Sequence, residues 1–150
     1  MLYILIMNIM KERKKTILVF GLPGSGKTTF CKNLIKNKDI PHFNADEIRG
    51  IFKDWDFSKI GRIRQVKRML GLVELEKNKI SIVDMVCPYD IYRKKFSIII
   101  WMNTILNSKY KDTNNIFEKP KKVDYEIKDF NYNHIIRKIK NDLFSKYRTI

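Results

Sequence analysis

Cysteine is nearly absent, with Cys31 and Cys87 the two in 150 residues. They make neither a disulfide framework nor a metal-ligand spacing. One at a helix start and one after a strand, they fit buried or site-lining thiols in a reducing compartment. Long apolar runs are missing as well. Residues 1–10 are apolar but fall far short of the about 20 needed to cross a bilayer, and no basic segment or small-residue cleavage site accompanies them. A cytoplasmic chain with no membrane role is expected, with residues 1–14 as an N-terminal extension and Met7 and Met10 as alternative starts. Acidic residues are scarce. Against 31 Lys plus Arg stand 16 Asp plus Glu, a net charge of +15. That excess concentrates polyanions near the surface without choosing between nucleotide and nucleic acid. Compositional bias explains part of it, and Lys36, Lys38, Lys77 and Lys79 read as solvated positions. There is no internal repeat and no domain boundary, and a 44% hydrophobic chain of this length suits one core.

What is present is a complete G-x-x-x-x-G-K-[ST] phosphate-binding loop at Gly21, Leu22, Pro23, Gly24, Ser25, Gly26, Lys27 and Thr28, followed by Thr29. Glycines let the backbone N–H groups turn inward, and the following helix adds its positive end, so the loop grips a polyphosphate. Lys27 is expected on the β- and γ-phosphates of ATP and Thr28 on Mg²⁺. The context fits: 16–20 is β-rich, and Phe30, Cys31, Leu34 and Ile35 recur at helical spacing.

Apolar patterning predicts strands at 16–20, 40–43, 79–86, 97–102 and 124–127. Helices are expected over 27–37, 44–49, 59–77 and 133–147, with weak helicity at 91–96. On 59–77, Ile63, Val66, Leu70 and Val73 form the expected core stripe beside Arg62, Gln65 and Met69. On 133–147 the apolar face is Ile135, Ile136, Ile139, Leu143 and Tyr147. This alternation implies an α/β fold: a doubly wound, mostly parallel five-stranded sheet with helices on both faces, of the P-loop nucleoside-kinase type. The second strand is expected beside the first. The polar, lysine-rich stretch 107–123 lacks a pattern and reads as a lid. The single domain then spans 15–150.

A kinase needs a phosphate cradle, acidic support for Mg²⁺, cations around the migrating phosphoryl group and an acceptor site. Asp46, after the second strand, can activate a hydroxyl or support the metal. Local chemistry offers it a plainer role as a helix N-cap. Asp84 closes an apolar strand, where it can act on Mg²⁺ or merely end the strand.

Together, Gly21 to Thr29, Phe43-Asn44-Ala45-Asp46-Glu47-Ile48-Arg49, Asp56-Phe57-Ser58 with Gly61-Arg62-Ile63-Arg64-Gln65, and Cys87-Pro88-Tyr89 resemble adenylylsulfate kinase from about residue 15 to about residue 130. The resemblance implies transfer of the γ-phosphate of ATP, with Mg²⁺, to the 3′-hydroxyl of adenosine 5′-phosphosulfate, and a homodimer as one expected assembly. It implies that Asp46 activates the acceptor, that Arg49 and Arg62 hold its anionic groups, and that Phe57 stacks on its adenine. Gln65 stands for the family's usual Asn, Val86, Cys87 and Pro88 line the acceptor site, and Phe117 matches a second enclosing aromatic. Asn44 replaces an acid, Cys87 replaces a serine that relatives phosphorylate, and the lid lacks the family's usual run, leaving Lys109 or Lys111 to meet the phosphoryl group. A kinase of another hydroxyl, including a nucleoside or nucleic-acid end, is the alternative. Scattered aromatics and dispersed basic residues argue against nucleic acid. The coexistence of Lys27, Thr28 and Asp46 argues against a non-catalytic binder.

Overall fold

The computed structural model describes residues 1–10 and 14–145, with side chains from 1–6 and 14–145. Tyr147, expected on the last helical face, lies outside the described residues. The elements run α1 (Leu2–Met10), β1 (Lys15–Phe20), α2 (Lys27–Leu34), β2 (His42–Asn44), α3 (Ala45–Phe52), α4 (Lys59–Leu75), β3 (Ile80–Met85), α5 (Asp90–Arg93), β4 (Ile98–Met102), α6 (Lys111–Ile116), β5 (Tyr125–Ile127) and α7 (Asn133–Phe144). The five strands form one parallel sheet in the order β2-β3-β1-β4-β5. Among the described residues, no helix is long and apolar enough to cross a membrane.

Period-2 alternation explains the layers. In β1, Ile17 and Val19 enter a core with Phe30, Cys31 and Leu34 of α2 and Ile136 and Ile139 of α7. Leu18 and Phe20 enter the opposite core with Val66, Met69 and Val73 of α4. A strand buried on both faces is largely apolar, and the runs of β1 and β3 suit the interior of the sheet for that reason.

Three expectations change. The second strand does not neighbour the first, because β3 lies between them. All six β3 residues are buried, whereas the three of β2 are half-buried and suit an edge. On α4 the buried line is Arg62, Gln65, Val66, Met69 and Val73, with Ile63 and Leu70 only half-buried. The helix is therefore rotated toward the polar residues of the site. Finally, the stretch 107–123 contains α6. Asn114 organises its approach, accepting from the Ser108 N–H at 2.9 Å and donating to the Ser108 carbonyl at 2.8 Å.

Candidate active site

The site lies off the carboxyl ends of β1, β2 and β3, where open α/β sheets bind ligands. The β1–α2 loop turns through Gly24 and Gly26, whose φ angles of 82° and 88° favour glycine. Lys27 Nζ donates to the Leu22 carbonyl at 3.0 Å, and the Thr104 hydroxyl donates to the Ser25 carbonyl at 2.7 Å, tying the loop down. Ser25 Oγ is fully buried and is the one such side-chain atom without a hydrogen-bond partner among the described residues. An orphaned buried hydroxyl costs about 1–3 kcal/mol, so its presence here fits a loop shaped for a polar ligand. Burial lowers the Lys27 pKa, opposed by the charges of Asp84 and Asp46.

Asp84 is 2% exposed in an otherwise largely apolar strand. Such a carboxylate persists only if partnered, since the desolvation penalty of an isolated ion is several kcal/mol. Its Oδ2 lies 2.9 Å from His42 Nε2 and accepts from Asn44 Nδ2 at 3.0 Å. Burial alone would raise its pKa; hydrogen bonds from His42, Asn44 and Thr28 outweigh that and hold it below the ordinary carboxylate value. Asn44 Nδ2 also donates to Thr28 Oγ1 at 3.1 Å. Asn44 and Asp84 are register partners on adjacent strands, which brings the amide against the carboxylate. Asn44 further caps α3, its Oδ1 accepting from the Glu47 N–H at 2.9 Å. Asp46 is thus free of capping duty and sits exposed in the first turn, at the cavity wall.

From the phosphate loop a cleft of about 1110 Å³ runs past Asn44, Asp46 and Asp84 to Arg49, Trp55, Phe57, Arg62 and the Val86-Cys87-Pro88 turn, closed on one side by Lys109, Tyr110 and Thr113. Its volume stands at the upper end of the roughly 300–1,000 Å³ typical of ligand pockets. At the far end the Phe57 ring has the Arg49 guanidinium 4.5 Å and the Arg62 guanidinium 5.5 Å from its centre. The ring remains 47% exposed, unlike a core aromatic. Both arginines are anchored: Arg49 donates to the Asp54 carbonyl at 2.9 Å, and Arg62 Nε to the Phe57 carbonyl at 2.7 Å. Arg62 also donates to Thr113 Oγ1 at 3.1 Å, fastening α4 to α6. Its 3.4 Å pair with Asp112 adds little, since that carboxylate is 72% exposed.

Two expected acceptor residues stand elsewhere. Gln65 is 1% exposed and donates to the Ala45 carbonyl at 2.9 Å, bracing α3 against α4 behind the cleft. Phe117 packs on Phe20 at 6.1 Å between ring centres, because its apolar ring is drawn to the sheet core. Of the two lysines expected to meet the phosphoryl group, Lys109 lines the cleft and Lys111 does not.

Several contributors escaped the sequence reading. Arg93, 1% exposed, donates to the Cys87 carbonyl at 2.8 Å and the Pro88 carbonyl at 3.0 Å. It holds Cys87 at φ 45°, a conformation that costs a non-glycine residue about 1–3 kcal/mol and shapes the cleft wall. Arg64 and Arg68 both bind Asp54, at 2.8 and 2.9 Å, and lock the loop that carries Phe57. Gly61 makes that loop possible: a Cβ there would collide with the Asp56 carbonyl and Cγ. Gly61→Ala should therefore destabilise the protein by about 1–3 kcal/mol in urea denaturation, and an unchanged midpoint would show that the loop yields freely.

No curated protein sequence matches the chain. The family model described as adenylylsulphate kinase matches residues 13–130. Among solved structures, the chain is similar to the APS kinase CysC of Mycobacterium tuberculosis in complex with AMPPNP and APS, at 18% identity and a TM-score of 0.69, over 86% of this chain and 96% of that one. It is similar to a sugar kinase from a Janibacter species, at 12% identity and a TM-score of 0.69, over 92% and 100% of the two chains. It is also similar to shikimate kinase from Acinetobacter baumannii in complex with shikimate, at 16% identity and a TM-score of 0.59, over 92% and 97%. Identities this low speak to the fold, and the fold is that of P-loop kinases. Since the family match spans the phosphate loop, the Phe57 loop and the segment that carries α6, the chain belongs to the adenylylsulphate kinase family of phosphotransferases.

Proposed function

We propose that the protein transfers the γ-phosphoryl group of ATP to the 3′-hydroxyl of adenosine 5′-phosphosulfate. The observation that carries this reading is Phe57, half-exposed beside two anchored arginines in the cleft that the phosphate loop also lines. A flat aromatic face beside two guanidiniums suits a purine that bears anionic groups.

In this reading Gly21, Leu22, Pro23, Gly24, Ser25, Gly26, Lys27, Thr28 and Thr29 cradle the triphosphate of ATP. Thr28, Asp46 and Asp84 offer hard oxygen donors, which fit Mg²⁺, and the ion neutralises phosphate charge when bound. Lys27 meets the γ-phosphoryl oxygens. Asp46 orients the acceptor hydroxyl and takes its proton as the new O–P bond forms and the bond to the β-phosphate oxygen breaks, releasing ADP. Arg49 and Arg62 hold the acceptor's anionic groups, Phe57 stacks on its base, Val86, Cys87 and Pro88 wall it, and Lys109 approaches from the lid. Gln65 and Phe117 support this end from behind.

A related reading, a kinase of another hydroxyl such as a nucleoside or nucleic-acid end, draws on the +15 net charge and on Asn44 standing where the family has an acid. Phe57→Ala tests the preferred reading. With adenosine 5′-phosphosulfate as acceptor, loss of stacking worth about 1–3 kcal/mol should raise the acceptor KM by roughly 10-fold or more and leave the ATP KM alone. An unaltered acceptor KM would remove Phe57 from the acceptor site.

A further inference from the structure

Helix α2 and strands β2 and β3 bring three different metal-binding donors to one point. The ligating atoms of Cys31, His42 and Asp84 all lie within 4.8 Å of one another. Cys31 and Asp84 are buried, at 0% and 2% exposure, and His42 is half-buried. Plainer roles exist for each singly, since a free cysteine packs as a small hydrophobe and a histidine can serve a buried carboxylate. Neither role requires the thiol to stand beside that pair. The donor set is selective. Mg²⁺ and Ca²⁺ take oxygen ligands, whereas thiolate, imidazole and carboxylate together suit zinc and its borderline-soft neighbours.

We propose that Cys31, His42 and Asp84 form a binding site for a zinc-class divalent ion, sharing the Asp84 carboxylate with the ATP site. A metal binds the thiolate, so binding at this site is coupled to loss of the Cys31 proton. On binding, the S–H bond breaks, the proton passes to solvent and the metal–sulfur bond forms. The proton that His42 Nε2 shares with the Asp84 carboxylate across 2.9 Å passes to solvent as Nδ1 takes one up, which frees the Nε2 lone pair for the metal. Thiolate and carboxylate then balance the 2+ charge. Bonds of about 2.0–2.3 Å in a tetrahedron space ligand atoms roughly 3.3–3.8 Å apart, so shifts of about 1 Å close the set and leave a fourth position for water. With Asp84 so engaged, the ion opposes Mg²⁺-supported phosphoryl transfer. That consequence rests on the role of Asp84 proposed above; metal binding itself does not.

The test uses the full chain. Zn²⁺ is titrated in competition with a chromophoric chelator, and Co²⁺ binding is followed by absorption. One equivalent of Zn²⁺ should bind, and the Co²⁺ form should show a thiolate-to-metal charge-transfer band with the intense d–d bands of a four-coordinate site. Cys31→Ser should abolish the charge-transfer band and weaken Zn²⁺ by about 100-fold or more. His42→Gln, on an edge strand, should weaken it similarly and carries the test if the Cys31 variant folds poorly by circular dichroism. His134→Gln should bind like the parent. Absence of stoichiometric Zn²⁺ binding, persistence of the band in Cys31→Ser, or unweakened binding in His42→Gln would overturn the site. If Zn²⁺ binds as described yet leaves turnover unaffected, the site stands and the role given to Asp84 falls.

Discussion

Lys27→Ala lowers phosphoryl transfer by roughly 10³-fold or more while circular dichroism and the melting temperature stay at parent values. The ammonium sits in the bend of the loop, hydrogen-bonded to the Leu22 carbonyl, with Asp84 and Asp46 as its charge partners. Burial costs it some stability, so removing it relieves desolvation while forfeiting one hydrogen bond of about 1 kcal/mol. These roughly offset in folding. Nothing offsets them in the reaction, where a fixed, preorganised cation acts directly on a migrating phosphoryl group. Steady-state turnover with the folded variant checks this; activity within about 10-fold of the parent would remove Lys27 from the chemistry.

Asp46→Asn lowers kcat by about 10²–10⁴-fold, the range for loss of a positioned base, with the ATP KM within about 3-fold of the parent. The substitution keeps shape and removes charge. Capping of α3 belongs to Asn44, through its bond to the Glu47 N–H, so the variant loses only the favourable placement of an acid in the first turn, about 0.3–1 kcal/mol. Measured kcat and KM for both substrates separate the roles. A parallel loss of kcat and ATP affinity would make Asp46 a metal or structural acid rather than the acceptor's base.

The parts legible in the sequence were those set by local patterns. The phosphate loop needs its glycines and lysine in fixed order, and β1 and β3 announce themselves by apolar runs that only a doubly covered sheet accommodates. Helix α7 shows its apolar face at 3.6-residue spacing through Ile136 and Ile139. Less legible was anything requiring strand order. Asn44 and Asp84 are 40 residues apart and meet because β3 inserts between β1 and β2, a choice governed by how much of each strand can be buried. Helix α6 was hidden for a different reason. Its sequence has no apolar periodicity, and Arg62 holds it from outside through Thr113. Gln65 and Phe117 were drawn toward the acceptor by the family pattern, yet a buried amide that satisfies the Ala45 carbonyl and a ring that covers Phe20 belong to the supporting layer. Arg93 was missed because its hold on the turn runs through two backbone carbonyls, and its stacking on Phe20 and Phe117 exists only in the folded core.

Transfer of label from γ-labelled ATP, with Mg²⁺, to a panel of adenosine 5′-phosphosulfate, nucleosides, nucleotides and oligonucleotides tests the central claim most directly. Label on the 3′-oxygen of adenosine 5′-phosphosulfate, lost in Lys27→Ala and Asp46→Asn, is the predicted result. Label on an oligonucleotide or nucleoside, with adenosine 5′-phosphosulfate left unlabelled, would contradict it.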